Sequence, residues 1–301
     1  MDVIAGLGST DIMQILPPSV QAFLPLLEKN RAQILSVKKN TFKYGDTDRH
    51  QLDIYYPATT PNHKPPILFF FYGGGFFHGD RSDPPPEDLS YACFGAFFAS
   101  RGILTVIPDY RLVPNAVYPQ PVEDVRDSMI YIVQNVTEGD PAKLFMLGHS
   151  AGAAHAASLL LAEPSMLQST TLDRRIKGTA LLSGALHFRG TPVIPPDILQ
   201  QYYGTEEQRN KSEPFGLLGS ASEETIASLP PVIMITAEKE PEGIVVANDD
   251  FAELLAKKTG TSVDRIEADG HNHISLTYAL SSGQGEEWGE QVAKWVSAHA
   301  S

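Results

Sequence analysis

The segment Lys143-Leu144-Phe145-Met146-Leu147-Gly148-His149-Ser150-Ala151-Gly152-Ala153-Ala154-His155-Ala156-Ala157 decides the fold of this chain. Its first part is a short apolar run, the pattern of a strand buried on both faces, and its last part is the small-residue start of a helix. Between them stands Gly148-His149-Ser150-Ala151-Gly152. A strained strand-to-helix turn lifts the middle hydroxyl clear of its own backbone, where it can attack a carbonyl. Glycine on either side lets strand and helix approach without side-chain clash. Gly-x-Ser-x-Gly is a weak pattern by itself. Here it follows a predicted buried strand and opens a predicted helix, and that context makes Ser150 a candidate nucleophile. His149, at the variable position, and His155, in an apolar helix, are read as packing residues.

On both sides of this segment short β-type runs alternate with longer helix-type runs. Strands are predicted at 41–44, 51–56, 67–72, 103–108, 143–147, 178–182, 232–237 and 263–267, the first two joined by the turn-forming Gly45-Asp46-Thr47-Asp48. Helices are predicted at 89–100, 121–136, 151–162, 248–258 and 286–298. Pro121 suits a first helical turn, and Glu123 and Asp124 meet the positive end of the helix dipole. The alternation implies an α/β fold, a mostly parallel sheet of about eight strands covered on both faces. A chain of 301 residues suits a single domain spanning 1–301. Two segments break the rhythm and are candidate cap or lid segments. Residues 1–40 hold one apolar helical stretch, 20–37. Residues 187–230 are rich in Pro, Gly and polar residues, with Tyr202, Tyr203 and Phe215 among them. A long insertion before a strand lies over one end of the sheet.

Composition bounds the function classes. Hydrophobic residues make up 42% and charged residues 20%, the balance of a soluble globular protein. A net charge of −13 argues against nucleic acid or an anionic membrane as partner, since both call for a basic surface. Cys93 is the single cysteine, so no internal disulfide forms, and its apolar surroundings in residues 91–96 suit a small buried filler. The N-terminal residues lack a basic n-region, and no run reaches the ~18 apolar residues of a membrane span, so a cytoplasmic protein is expected. His149, His155, His271 and His273 have no Cys or carboxylate cluster at ligand spacing, so no metal is implied. Gly73-Gly74-Gly75 lacks the Gly-Lys-Ser/Thr of a phosphate loop, and no cofactor is expected.

That glycine run lies in Phe71-Tyr72-Gly73-Gly74-Gly75-Phe76-Phe77, directly after the predicted strand at 67–72. Consecutive glycines leave backbone N–H groups free to face a developing oxyanion, and one such donor stabilises the transition state by about 2.7–4 kcal/mol. From about residue 50 onward the chain resembles the hormone-sensitive-lipase-like branch of the α/β-hydrolases, whose esterases carry a His-Gly-Gly-Gly loop and a Gly-x-Ser-Ala-Gly elbow. Pro108-Asp109-Tyr110-Arg111-Leu112-Val113-Pro114 is similar to that branch's Asp-Tyr-Arg-Leu-x-Pro segment. The resemblance implies an α/β-hydrolase fold, serine esterase chemistry, and the N–H groups of Gly74, Gly75 and Ala151 as oxyanion donors. Tyr72 departs from the family by standing where its histidine supports the loop. The continuation His149-Ser150-Ala151-Gly152-Ala153 also resembles kynurenine formamidase-type enzymes.

In this fold the catalytic residues follow the chain order nucleophile, acid, base. After the last predicted strand, Glu267-Ala268-Asp269-Gly270-His271-Asn272-His273 offers two histidines. The family spacing of Gly, two residues, His selects His273, leaving His271 as the alternative and as a candidate for orienting the loop. The family's Gly-x-x-Asp-Pro, aligned on Pro241 in Ala237-Glu238-Lys239-Glu240-Pro241, puts Glu240 at the acid. Glu238 competes with it, and Asp249 and Asp250 stay open. The function expected is hydrolysis of small, partly apolar carboxylic esters, with Phe76 and Phe77 at the pocket mouth. An aryl-formamidase or amidase is the alternative, and a non-catalytic ligand-binding protein on the same fold is a third reading.

Overall fold

The segment Ile67–Phe71, five apolar residues all buried, stands in the interior of the sheet, where both faces are covered. The structure, a computed structural model, describes residues 1–58, 64–162, 167, 171–172, 174–191 and 193–300. The strands are β1 (Lys39–Lys43), β2 (Gln51–Tyr55), β3 (Ile67–Phe71), β4 (Leu104–Pro108), β5 (Leu144–His149), β6 (Ile176–Leu182), β7 (Val232–Lys239) and β8 (Asp264–Asn272). They form one sheet in the order β1-β2-β4-β3-β5-β6-β7-β8. β2 runs antiparallel to both β1 and β4, and the remaining pairs are parallel. From β3 the chain crosses to β4 on one side, and from β5 to β6 on the other. This is the topological switch at which open α/β sheets bind ligands beyond the strands' C-terminal ends.

The predicted helices are present as Ala92–Ala99, Gln120–Asn135, Ala151–Leu161, Glu242–Thr259 and Glu287–His299. Three expectations about boundaries are corrected. Residues 20–37 do not form one helix. Ile12–Lys29 runs through Pro17, Pro18 and Pro25, capped by the Asp11 side chain on the Gln14 N–H, and Arg31–Ser36 follows after Asn30. The helix expected at 248–258 begins six residues earlier, with Pro241 as its N-cap. β8 extends five residues past 267, through Gly270 and His271. Its pairing with β7 resumes after a register shift at Lys239↔Asn272, and Glu238 accepts the Gly270 N–H at 2.6 Å. Pairing to a neighbour overrides the weak strand propensity of Asp269 and Gly270.

The insertion between β6 and β7 carries the short helices Pro196–Tyr203, Glu206–Ser212, Pro214–Ser220 and Glu223–Ser228. The first of these packs over the C-terminal end of β5. Leu199, Tyr202 and Tyr203 join Phe76, Val113, Ala151, Ala154 and Phe188 in one buried cluster. At its N-terminus, the chain packs against the same end of the sheet: Lys239 Nζ donates to the Ala5 carbonyl, and Ser19 and Asn272 share a buried hydrogen bond of 2.9 Å. Among the described residues no helix is long and apolar enough to cross a membrane.

Candidate active site

Ser150 stands between β5 and the helix Ala151–Leu161 with φ 54° and ψ −117°. A non-glycine residue held there costs about 1–3 kcal/mol and persists only where its surroundings over-determine it. They do. The Ser150 N–H donates to the Leu182 carbonyl at 2.9 Å, and the Ser150 carbonyl accepts from Ala185 at 3.1 Å. A Cβ on Gly152 would lie 2.0 Å from the Phe71 carbonyl oxygen, and one on Gly148 would lie 2.4 Å from the Gly152 carbonyl. The two flanking glycines are therefore steric requirements of the turn.

β3 and β5 are neighbours in register through Phe71↔Gly148, which brings the glycine loop beside the elbow. Gly74 and Gly75 have φ of 125° and 59°, and a Cβ on Gly74 would meet the His78 carbonyl at 2.1 Å. The loop closes on itself through the Gly74 carbonyl, which accepts from His78 N–H at 2.9 Å. Among the described residues the N–H groups of Gly74, Gly75 and Ala151 have no hydrogen-bond acceptor.

Tyr72, the departure from the family pattern, is fully buried and still supports this loop. Its hydroxyl donates to Asp109 at 2.7 Å and accepts from Arg49 at 2.7 Å, while Arg49 also donates to the Gly79 carbonyl at 2.8 Å. Arg81 closes the loop's far end on Asp109 through its backbone N–H at 2.6 Å and its guanidinium. Tyr110 donates to the Tyr72 carbonyl at 2.6 Å, and Arg111 forks onto buried Asp124. Asp109 and Tyr110 thus brace the glycine loop and the strand end beneath it, while Arg111 ties the segment after β4 to the helix Gln120–Asn135.

Glu240 and His273 are brought together. His273 Nδ1 lies 2.7 Å from Glu240 Oε2, both side chains being buried. Glu240 Oε1 accepts the Ala237 N–H at 3.1 Å and the Ser183 hydroxyl. The alternatives lie elsewhere. Glu238 is taken up by Gly270, Asp249 by Arg265 at 2.6 Å, and Asp250 by His187 at 3.1 Å. His271 Nε2 faces the Gly285 carbonyl at 2.8 Å and its Nδ1 faces the Ser275 hydroxyl at 2.9 Å. Burial holds the His271 pKa below the ordinary imidazole value, so it is a neutral strut of the loop.

Among the described residues no hydrogen bond joins the Ser150 hydroxyl to His273. The contact between the two segments runs through His149, whose ring centroid lies 4.8 Å from that of His273. His149 Nε2 is 3.0 Å from the His273 carbonyl oxygen, which can only accept, so Nε2 carries the hydrogen. Burial, then the neighbouring His273, push the His149 pKa well below its ordinary value and keep the ring neutral. His149 does more than pack, because it tethers the His273 backbone to the elbow. His155 remains a packing residue: burial lowers its pKa to about 3, and it sits edge-on to Phe76 and Tyr110.

Phe76 departs from its expected place. It is 1% exposed, with φ 73°, and its ring stacks on Tyr202 at 4.2 Å. The aromatics of the insertion enclose it, so its ring joins the insertion to the glycine loop and does not stand at a pocket mouth. Phe77 is half-buried at the edge of that cluster. Cys93 is buried as expected, and burial pushes its thiol pKa up. Two site neighbours have no sequence motif, Ser183 and Asn272. Asn272 accepts the N–H groups of Ile274 and Ser275 at 3.0 and 2.9 Å and holds the turn after His273. The available signal for Ser183 was its place directly after β6, at the C-terminal end of the sheet's strands.

The sheet order, the strained serine elbow and the glycine loop beside it define an α/β-hydrolase. A family model described as BD-FAE matches residues 52–253, more than half of the chain, and the chain belongs to that family. Curated relatives include a probable isoprenylcysteine alpha-carbonyl methylesterase of Arabidopsis thaliana, 25% identical over 257 residues, covering 79% of this chain and 51% of that protein. An Oryza sativa subsp. japonica protein of the same description is 27% identical, covering 77% of this chain and 57% of its own. The chain thus spans about half the length of these plant relatives. The kynurenine formamidase of Salmo salar is 22% identical, covering 84% of this chain and 80% of that one. Among solved structures, esterase B of Lactobacillus Rhamnosis superposes with a TM-score of 0.71 at 16% identity, covering 97% of each chain. The Pyrobaculum calidifontis esterase gives 0.71 at 20% identity, covering 99% of this chain and 97% of that one. At these identities the likeness is one of fold.

Proposed function

We propose that this protein is a carboxylic-ester hydrolase that works through an acyl-enzyme formed on Ser150. The observation that carries this reading is the buried Glu240–His273 pair beside a strained serine elbow whose neighbouring N–H groups lack acceptors among the described residues. Ser150 Oγ attacks the ester carbonyl carbon while His273 Nε2 takes its proton. The negative charge that develops on the carbonyl oxygen is held by the Gly74, Gly75 and Ala151 N–H groups. His273 then gives the proton to the departing alkoxide as the C–O bond breaks, and water, deprotonated by the same imidazole, releases the acid from Ser150. Glu240 accepts from Nδ1, fixes the tautomer that leaves Nε2 free, and balances the imidazolium charge. Phe77, Val193 and Ile198, apolar side chains left at the edge of the cap cluster, suit a small and partly apolar substrate.

The likeness to a kynurenine formamidase over 80% of that protein's length favours a second reading, cleavage of an aryl formamide by the same residues. Three substrates separate the two: a short-acyl aryl ester, the methyl ester of a prenylated cysteine, and N-formylkynurenine. The proposal expects kcat/KM for one of the esters to exceed that for the formamide, and the reverse order establishes the second reading. Labelling of Ser150 by a fluorophosphonate is expected in either case. Its absence from folded protein overturns both and leaves a non-catalytic binding protein.

The acid offers a sharper measurement. Glu240→Gln is expected to keep the fold and slow turnover strongly, since a neutral amide favours the wrong tautomer. The comparable Asp-to-Asn change in a serine protease costs ~10⁴-fold. Glu240→Asp draws the carboxylate back from His273 while its anchors on Ala237 and Ser183 stay in place, and a 1 Å misplacement costs about 10²-fold. Glu238→Gln should retain nearly full turnover. A severe Glu238→Gln with a mild Glu240→Gln would move the acid two residues upstream.

A further inference from the structure

The two oxygens of Glu240 do different things. Oε2 meets His273, while Oε1 receives the Ala237 N–H and the hydroxyl of Ser183. Ser183 follows β6 with φ 48° and is 0% exposed. The chain places a serine where a side chain is strained by about 1–3 kcal/mol, so the surroundings must hold it there. Its N–H donates to the Ile235 carbonyl at 2.7 Å. Asn248 grips the next residue from both sides: Gly184 N–H donates to Asn248 Oδ1 at 3.2 Å, and Asn248 Nδ2 donates to the Gly184 carbonyl at 2.9 Å. The hydroxyl is thus presented from a backbone with little freedom to move.

We propose that Ser183 is a positioning residue for the catalytic acid, anchoring Oε1 so that Oε2 stays aimed at His273. The proposal rests on the assignment of Glu240 and His273 given above. A glutamate reaches the imidazole through three side-chain torsions, the last of them soft and without sharp staggered wells. The Ala237 N–H alone pins one oxygen at one point and leaves the carboxylate free to pivot. A second donor on the same oxygen sets its orientation, and an O–H donor to a carboxylate makes one of the stronger hydrogen bonds. This accounts for a glutamate working where relatives of the hormone-sensitive-lipase-like branch commonly have aspartate: the longer side chain is held at its far end.

The test uses Ser183→Ala, Ser183→Gly, Glu240→Gln and the double variant Ser183→Ala/Glu240→Gln in the full chain, assayed on the preferred ester. Ser183→Ala is expected to lower kcat about 10- to 100-fold, the scale of a misplaced catalytic group, with KM within about twofold of wild type. The acid limb of its kcat/KM profile should move to lower pH, because the imidazolium loses a well-aimed carboxylate. Ser183→Gly relieves the positive φ, so it should be at least as thermally stable as wild type and yet as slow as Ser183→Ala. In the Glu240→Gln background, Ser183→Ala should cost less than about twofold more, since the two residues act through one contact. An unmoved acid limb, or a loss that multiplies fully with that of Glu240→Gln, assigns Ser183 a structural role and overturns the proposal. A wild-type rate in Ser183→Gly overturns it as well. A near-wild-type Glu240→Gln instead overturns the assignment of the acid.

Discussion

Ser150→Ala is expected to cut ester turnover by about 10⁴- to 10⁶-fold, because nucleophile, base and acid act as a unit and loss of the nucleophile costs nearly as much as loss of all three. Fold and stability should survive the change. Among the described residues the Ser150 hydroxyl makes no hydrogen bond, and the bonds that hold the elbow, to Leu182 and from Ala153 and Ala185, are all backbone. Alanine meets the same strain at φ 54° as serine does, so Tm should stay within a few degrees of wild type. Steady-state turnover of a short-acyl aryl ester by protein prepared free of contaminating esterases makes the measurement. A preparation retaining more than about a tenth of wild-type turnover would place the nucleophile elsewhere.

The second large effect is expected at the paired histidines. His273→Ala removes the partner of Glu240 and, in the proposed mechanism, the proton acceptor for Ser150. It should lower turnover by about 10⁴-fold or more and abolish rapid fluorophosphonate labelling. The loss should show in kcat, since the base acts in the transition state and not in holding the ground-state ester. His271→Ala is expected to behave in the opposite way. Its ring bridges Ser275 and the Gly285 carbonyl, so its removal leaves a buried cavity and unsatisfied partners in the loop. That change should lower Tm by several degrees and leave the kcat of the folded fraction within about tenfold of wild type. The reverse pattern would move the base two residues upstream.

Much of this site was legible in the chain because its most demanding features are local. An elbow needs glycines where strand and helix nearly touch, and Gly148 and Gly152 stand where a single Cβ would collide with backbone. An interior strand of a parallel sheet is apolar on both faces, so 67–71 and 144–147 declare themselves by composition. The glycines at 73–75 mark a loop that turns through positive φ and presents backbone instead of side chains. Such constraints act between residues a few positions apart, and sequence patterns record them directly.

What only the tertiary structure decided involves residues far apart in the chain that share one oxygen or one ring. Tyr72 in place of the family's histidine reads as a departure until Asp109, Arg49 and Arg81 are seen to converge on the loop it supports. Phe76 reads as a pocket residue by position, but Tyr202 closes over its ring. His149 looks like filler until its ring reaches the His273 carbonyl, 124 positions away. Ser183 carries no motif, and its hydroxyl matters because β6 and β7 are parallel neighbours whose C-terminal ends place it against Glu240. Periodicity and motif spacing say which elements form. Which side chains meet is set by the strand order and register that pack those elements, and a buried polar atom finds its partner only after that packing is complete.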